Sequence, residues 1–349
     1  MKAVTQIRVP SLVRIKPGAL ARLGIYLARE NYRRALVLTS PLPEAVAAIW
    51  RTALNSEGID VAHWETVDGN SFENAVRIFG ELPPKTACVV GIGGGKALDI
   101  AKYVAFLARL PYLAAPTSLS NDGFCSPQSS LTMAGKRRSL PAGLPDAVII
   151  DVDICLNAPK ALWLSGVGDL SAKLTAVADW KLAFHHRGEP VNDLAALLSD
   201  ASVLQFLAAP EFSPKGMALL GTALMLNGIA MEISGSSRPA SGGEHLISHA
   251  LDATSKRPRL HGLQVGVAAY LVSRLQGGEN SAAIQRLFQE TGFWDEIKKD
   301  PFSKAEWLEA VRLAPSLKED FFTVLSLRDC LPEVAAMLQE DPILRACFV

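Results

Sequence analysis

The sequence predicts a doubly wound α/β domain followed by an all-helical one, and three observations carry that expectation. Up to about residue 155, short β-branched runs alternate with amphipathic helical stretches, the order that builds a largely parallel sheet with helices on its faces. Beyond that point strand signals nearly vanish and almost every segment keeps a helical period. Pro159 marks the change, placing the boundary near residues 153–160 and the domains at 1–155 and 156–349. A chain of 349 residues is long enough for each half to have its own core.

In chain order, Ile7 to Ile15 reads as a strand pair, Ala19 to Glu30 as a helix and Arg34 to Thr39 (RALVLT) as a buried strand. A helix from Glu44 to Glu57 closes at Gly58, and Val61 to Trp64 is the next strand. Ser71 is placed to cap a helix that ends before Pro83. Thr86 to Ile92 (TACVVGI) is an apolar run of the kind buried on both faces of a parallel sheet. Tyr112 to Ala115 and Val148 to Val152 are further strands, and Ser129 to Pro141 reads as a hairpin turning at Ala134-Gly135. In the second half the helical stretches are Ser171 to Phe184, Asp193 to Ala208, Lys215 to Met231, Glu244 to Ala253, Gly262 to Leu275 and Ala282 to Gln289, with shorter ones to the end.

Bulk properties narrow the function. Hydrophobic residues at 49% with charged ones at 20% describe a well-buried protein and exclude a disordered one. A net charge of zero gives no global attraction to nucleic acid or an anionic membrane, so any anion recognition is local. The five cysteines are odd in number and form no CxxC pair, which argues against a disulfide framework and for a reducing compartment. The opening MKAVTQIRVP has no signal-peptide core, and no apolar run is read as approaching the ~20 residues that cross a bilayer. The expectation is a cytoplasmic protein with no nucleic-acid partner and no membrane span.

Directly after the TACVVGI strand comes Gly91-Ile92-Gly93-Gly94-Gly95-Lys96, and then a helical ALDIAKYVAFLARL. Glycines at a strand-to-helix turn let the backbone approach a ligand and aim N–H groups at a phosphate, with the helix dipole adding to the attraction. Ala97 stands where a Walker A loop has Ser or Thr, and the spacing is not GxGxxG. Tight helix–sheet packing alone would explain one or two of these glycines; three together with Lys96 favour a phosphate loop. Asp99, one turn into the helix, is a candidate to orient the loop or bond a ribose. The strand at Tyr112 ends in Thr117-Ser118-Leu119-Ser120-Asn121-Asp122, which belongs to the same crevice because open α/β sheets bind ligands at the carboxyl ends of their strands. Lys136, Arg137 and Arg138 read as a solvated turn, with an overhang above phosphates as the alternative.

Three of the six histidines fall between Ser234 and Gly262. His245 and His249 are four apart and share a helix face, and His261 follows a loop-like KRPR segment. Two imidazoles and a carboxylate are a recurrent way to hold a catalytic divalent metal with one position open. Asp169, in SGVGDL, is a carboxylate from the same half, although an Asp before a helix is more often an N-cap.

Five segments in this order, GIGGGKALDIAK, PTSLSNDGFCSP, SGVGDLSAKLTAVADW, SSRPASGGEHLISHALD and HGLQVGV, resemble the glycerol-1-phosphate dehydrogenase family, a branch of the iron-containing alcohol dehydrogenase and glycerol dehydrogenase superfamily. The resemblance runs from about Gly91 to Gly266. It implies an α/β Rossmann-like N-terminal domain and an all-α C-terminal domain, the architecture shared with dehydroquinate synthases, with a metal in the cleft. It implies Asp169, His245 and His261 as metal ligands, and Asp122, Asp169 and His249 as substrate contacts, with Asp122 and His249 in catalytic roles. Together with the glycine loop at Gly93 and Gly94, it implies cofactor contacts from Gly95, Lys96, Ala97, Leu98, Asp99, Thr117, Ser118, Leu119, Ser120 and Ser126. Two departures stand out. Asn121 occupies a position that is His in many members, and Ser40-Pro41 follows the second strand where several relatives place an acidic residue on the adenosine ribose. NAD(H) and NADP(H) therefore both stay open. The metal is zinc by first expectation, with nickel or iron as alternatives.

The expected reaction is reduction of a small phosphorylated ketone, dihydroxyacetone phosphate giving sn-glycerol 1-phosphate, in a homo-oligomer. Arg238 and the basic hairpin are candidates for the substrate phosphate. Three alternatives stay open: a dehydrogenase of another polyol or polyol phosphate, a dehydroquinate-synthase-like lyase that uses NAD transiently, and a nucleotide-binding module without chemistry.

Overall fold

A computed structural model describes residues 7–318 and 320–349; the opening MKAVTQ lies outside the described residues. Two compact units emerge among the described residues, one of residues 7–158 with 213–232, the other of residues 159–212 with the chain from 233 onward.

The first unit is built on a six-stranded parallel sheet in the order β1-β8-β5-β4-β2-β3. In chain order its elements are β1 (Leu12–Lys16), α1 (Leu23–Arg29), β2 (Arg34–Thr39), α2 (Glu44–Ser56), β3 (Asp60–Thr66), α3 (Phe72–Gly80), β4 (Cys88–Gly93), α4 (Gly95–Ala108), β5 (Tyr112–Pro116), β6 (Gln128–Met133), β7 (Lys136–Pro141), β8 (Ala147–Asp151) and α5 (Val152–Leu156). Burial on both faces explains why the strands read as continuous apolar runs. Along β2, Ala35 and Val37 enter a core with Leu23, Leu27, Trp50 and Leu54 of α1 and α2. Leu36 and Leu38 face the opposite way, into a core with Ile78 of α3 and Ile100 and Val104 of α4.

The chain runs outward from β2 to β3 and then returns to place β4 on the other side of β2. That reversal is the switch point at which an open α/β sheet leaves a crevice, and the glycine loop closes β4 there. The hairpin forms as expected, with Ala134 and Gly135 both at positive φ. The expected strand pair over Ile7 to Ile15 does not: only Leu12–Lys16 is a strand, paired in parallel with β8.

The second unit is helical. It contains α6 (Lys160–Arg187), which Gly188 closes at φ 66°, and α7 (Asp193–Leu207), capped by the Asn192 side chain on Ala195 N at 3.0 Å. After α8 (Pro214–Ser234) come α9 (Gly243–Thr254), α10 (His261–Gln276) and shorter helices between Asn280 and Cys347.

Helix α8 corrects two expectations. Residues 213–232 group with the first unit, not with the helical half. The helix is also apolar over 21 residues and passes the length and composition test for a membrane span, with 61% of its apolar window buried inside the protein. Its glycines show what it packs against. A Cβ on Gly228 would sit 1.7 Å from the Cys125 carbonyl oxygen, and one on Gly221 would sit 2.8 Å from Ile150. The apolar character of α8 is that of a core helix of the first unit.

Candidate functional site

In the first unit, α4 begins with Gly94 as its N-cap and no side chain capping the first turn. Space opens above Gly94 and Gly95, where an added Cβ would meet nothing within 4 Å, and Lys96 is exposed beside them. Gly93 is different. Its φ is +138°, and a Cβ there would lie 2.2 Å from Ser40 Oγ, so only glycine lets β4 turn into α4 at this spot. Ser40 directly follows β2 and its hydroxyl accepts from Gly94 N at 3.4 Å, which puts a neutral side chain beneath the loop. Backbone N–H groups at a bare helix N-terminus, beneath open space and beside a cation, suit a pyrophosphate.

The side chains of Ala97, Leu98 and Leu119 are buried in the core, so any contact they make with a cofactor runs through their backbone. Thr117 N donates to Gly93 O at 3.1 Å, tying the segment after β5 to the glycine loop. Ser118 and Ser120 are half-buried in that segment, and Ser126 Oγ accepts from Gln128 N at 3.2 Å. Asp122 opens a 3-10 turn, Asp122–Cys125, that the Asn121 side chain caps on Gly123 N at 2.9 Å.

Lys102, not foreseen from sequence, anchors that turn. Fully buried on α4, its Nζ donates to Gly123 O at 2.6 Å and Gln128 O at 2.8 Å, and lies 3.5 Å from Asp99 Oδ1. Burial raises the Asp99 pKa, with Lys102 and Arg137 working against the rise. The hairpin cations Lys136, Arg137 and Arg138 are exposed to solvent.

In the second unit, Asp169, His245 and His261 converge. Each comes from a different helix, α6, α9 and α10, and their ligand atoms lie within 4.8 Å of one another. Asp169 Oδ1 is 3.5 Å from His245 Nε2 and 3.8 Å from His261 Nε2. Donor atoms about 2.1 Å from a tetrahedral ion stand about 3.4 Å apart, close to the two distances from Asp169. One carboxylate oxygen and two imidazole nitrogens suit zinc, nickel or ferrous iron.

Close helix contact brings them together. A Cβ on Gly168 would sit 2.0 Å from Gly262 O, and one on Gly262 would sit 1.8 Å from Ser165 O. Those glycines are the chain neighbours of Asp169 and His261, so the contact that needs glycine also sets these two side chains side by side. Asp169 thus lies in the middle of α6. The expected N-cap position before a helix starting at Ser171 is corrected: α6 begins at Lys160, and Gly168 lies inside it, at the crossing with Gly262.

Buried partners hold the far side of each of these side chains. Lys173 Nζ lies 3.3 Å from Asp169 Oδ2 and donates to Ala240 O at 3.2 Å. Glu244 Oε1 lies 2.9 Å from His245 Nδ1, and Ser248 Oγ lies 3.3 Å from His261 Nδ1. Burial alone would raise the Asp169 pKa, but the Lys173 ammonium and the two imidazoles hold it well below the usual carboxylate range. Burial lowers His245, yet its bonds to Asp169 and Glu244 win and push it up to about 9 in the metal-free protein. Lys173 and Glu244 were readable only as neighbours of candidate ligands, four residues after Asp169 and one before His245.

His249 is exposed on α9, its ring centroid 6.2 Å from both other imidazoles and stacked on His261 at 22°. Arg238 is a correction. Its guanidinium is buried, donating to Glu189 Oε1 and to the Phe322 carbonyl at 2.7 Å each, and stands 3.8 Å over the Phe321 ring. It braces the helical unit and is not available to a substrate phosphate.

The parallel sheet with a glycine loop at its switch point, together with a separate helical unit, is the fold of the iron-containing alcohol dehydrogenases. A profile described as iron-containing alcohol dehydrogenase matches residues 14–159. The fold is similar to that of glycerol dehydrogenase from Schizosaccharomyces pombe, with a TM-score of 0.75 at 18% identity over 98% of this chain and 91% of that one. The glycerol-1-phosphate dehydrogenase [NAD(P)+] of Aeropyrum pernix is 34% identical over 95% of this chain and 96% of its own. That of Staphylothermus marinus is 34% identical over 97% and 98%. The chain belongs to the glycerol-1-phosphate dehydrogenase family.

Proposed function

We propose that this chain uses NAD(P)H to reduce a small phosphorylated ketone, converting dihydroxyacetone phosphate to sn-glycerol 1-phosphate. The observation that carries the reading is the convergence of Asp169, His245 and His261 from three helices, with ligand atoms within 4.8 Å of one another. The names of the relatives point to the same substrate and to either nicotinamide cofactor. A divalent metal at these residues would supply Lewis acidity toward the carbonyl oxygen, and NAD(P)H the hydride for the carbonyl carbon.

The remaining roles belong to the chain itself. Gly93, Gly94, Gly95 and Lys96 hold the cofactor pyrophosphate, and the segment from Ala97 to Asp99, Thr117 to Ser120 and Ser126 border it. Ser40 carries no charge to repel a 2′-phosphate, which supports use of both cofactors. Asp122 binds a substrate hydroxyl, Asp169 also contacts substrate, and His249 holds or passes the proton that completes the alcohol through a ring nitrogen. The first unit is the proposed cofactor domain and the second the metal and substrate domain. Zinc is the proposed ion, with nickel and iron as alternatives. A cytoplasmic homo-oligomer completes the reading, supported as to compartment by five free, buried cysteines.

A panel of dihydroxyacetone phosphate and dihydroxyacetone, each with NADH and NADPH, tests this. Cofactor oxidised one for one with the phosphorylated ketone, and little with the unphosphorylated one, is the expected result. Substrate turnover without net cofactor oxidation would move the chain to the lyase alternative.

A further inference from the structure

We infer that Glu244 is a positioning residue that fixes the ring orientation and tautomer of His245, an inference that rests on the metal reading above. Glu244 is fully buried in the first turn of α9. Its Oε1 accepts the Gly242 N–H at 2.5 Å, and its Oε2 accepts from Thr175 Oγ1 at 2.8 Å. Thr175 stands on α6, the helix that carries Asp169, so the carboxylate is fixed relative to both helices.

With Oε1 already taking a backbone N–H that cannot reverse its role, the 2.9 Å contact with His245 Nδ1 has one consistent polarity. Nδ1 carries the proton and donates. Nε2, 3.5 Å from Asp169 Oδ1, is then the nitrogen left to ligate an ion once it gives up its own proton. A carboxylate behind a ligating imidazole makes that imidazole a better donor, and losing such a partner costs roughly 10–100-fold in metal affinity. A helix cap alone has no such effect. The contact would therefore act on a bound ion through His245, the Glu244 carboxylate itself bonding, among the described residues, only Gly242, Thr175 and His245.

Zinc affinity of the full-length protein, measured by competition with a chromophoric chelator, tests the inference in Glu244→Ala and Glu244→Gln. Thermal stability of the metal-free forms is measured beside it. Glu244→Ala should weaken zinc binding about 10–100-fold. Glu244→Gln should restore most of it, because its carbonyl can replace Oε1 while its amide faces the Thr175 hydroxyl. Unchanged zinc affinity in Glu244→Ala overturns the inference. So does an equal loss in both variants that tracks their metal-free stability, the mark of a cap alone.

Nitrogen-15 spectra of the imidazoles in the zinc-loaded wild type, with His245 assigned by its absence in His245→Gln, give a reading that needs no Glu244 variant. A proton on Nδ1 agrees with the inference, and zinc on Nδ1 overturns it. Wild type that binds no zinc would remove the metal reading and this inference together, whereas tight wild-type binding with an unaffected Glu244→Ala removes only the role of Glu244.

Discussion

Gly168 and Gly262 meet so closely that a Cβ on the first would lie 2.0 Å from the carbonyl oxygen of the second. Asp169 and His261 follow and precede them directly in the chain, so the helix crossing and the ligand pair are one construction. In Gly262→Ala the new methyl would fall 1.8 Å from the Ser165 carbonyl, backbone that no rotamer can move aside. Alanine gains roughly 1 kcal/mol of helix propensity over glycine, but overpacking costs about 1–3 kcal/mol and more where backbone must shift. The overlap wins. The expected outcome is a variant that melts earlier and binds zinc more weakly, read by calorimetry and chelator competition; wild-type values for both would show that the crossing is not what sets the ligands.

His261→Ala separates the two halves of the proposed chemistry. It removes one of the three proposed ligands from the second unit while leaving Gly93 to Asp99 in the first unit untouched. Turnover should fall at least about 10²–10³-fold, the scale of losing a group that stabilises developing negative charge. NADH binding, followed by fluorescence quenching, should be unchanged. Equal loss of both would contradict the division of labour between the units.

Stability of the metal-free protein should fall as pH rises from about 6 to about 9. Burial raises Asp179 to about 7, assisted by the charge of Glu244 and opposed by its bonds from Gly243 N, Gln276 and Val324 N. His245 lies at about 9 against 6.5 unperturbed. Both folded values exceed the unfolded ones, so the folded state holds the extra protons. The Asp179 contribution is lost up to pH 7 and the His245 contribution between 6.5 and 9, each at up to about 1.4 kcal/mol per pH unit. Asp169, whose pKa is lowered, adds stability present above its unfolded value of 3.8 and so no slope in this window. Zinc would keep Nε2 of His245 unprotonated, so the stabilisation by zinc should grow with pH. Melting curves with and without zinc check this, and stability that rises with pH in the metal-free form would refute it.

The parts of the site that were legible in the sequence are those whose chemistry rests on residue type at short spacing. Gly93 to Lys96 after an apolar strand, and His245 with His261 across a basic turn, need only local pattern. What was hidden depends on partners far along the chain. The sequence puts Asp169 just before a helix, because nothing near it shows that Gly168 lies against Gly262 inside one long α6. Apolar helix α8 could not be given to the first unit without knowing that Gly228 meets Cys125. Arg238 looked available for phosphate because Glu189, 49 residues away, gives no sign in sequence of pairing with it. Lys102 is hidden likewise, since its partners are backbone carbonyls at Gly123 and Gln128.

Anomalous diffraction at the zinc edge, from crystals grown with zinc, puts the assembled ligand set to trial. The expected map has one strong peak per chain, about 2.0–2.2 Å from Asp169 Oδ1, His245 Nε2 and His261 Nε2, with a fourth position open. No peak there, or one bound through other atoms, would contradict the metal centre and the ketone reduction built on it.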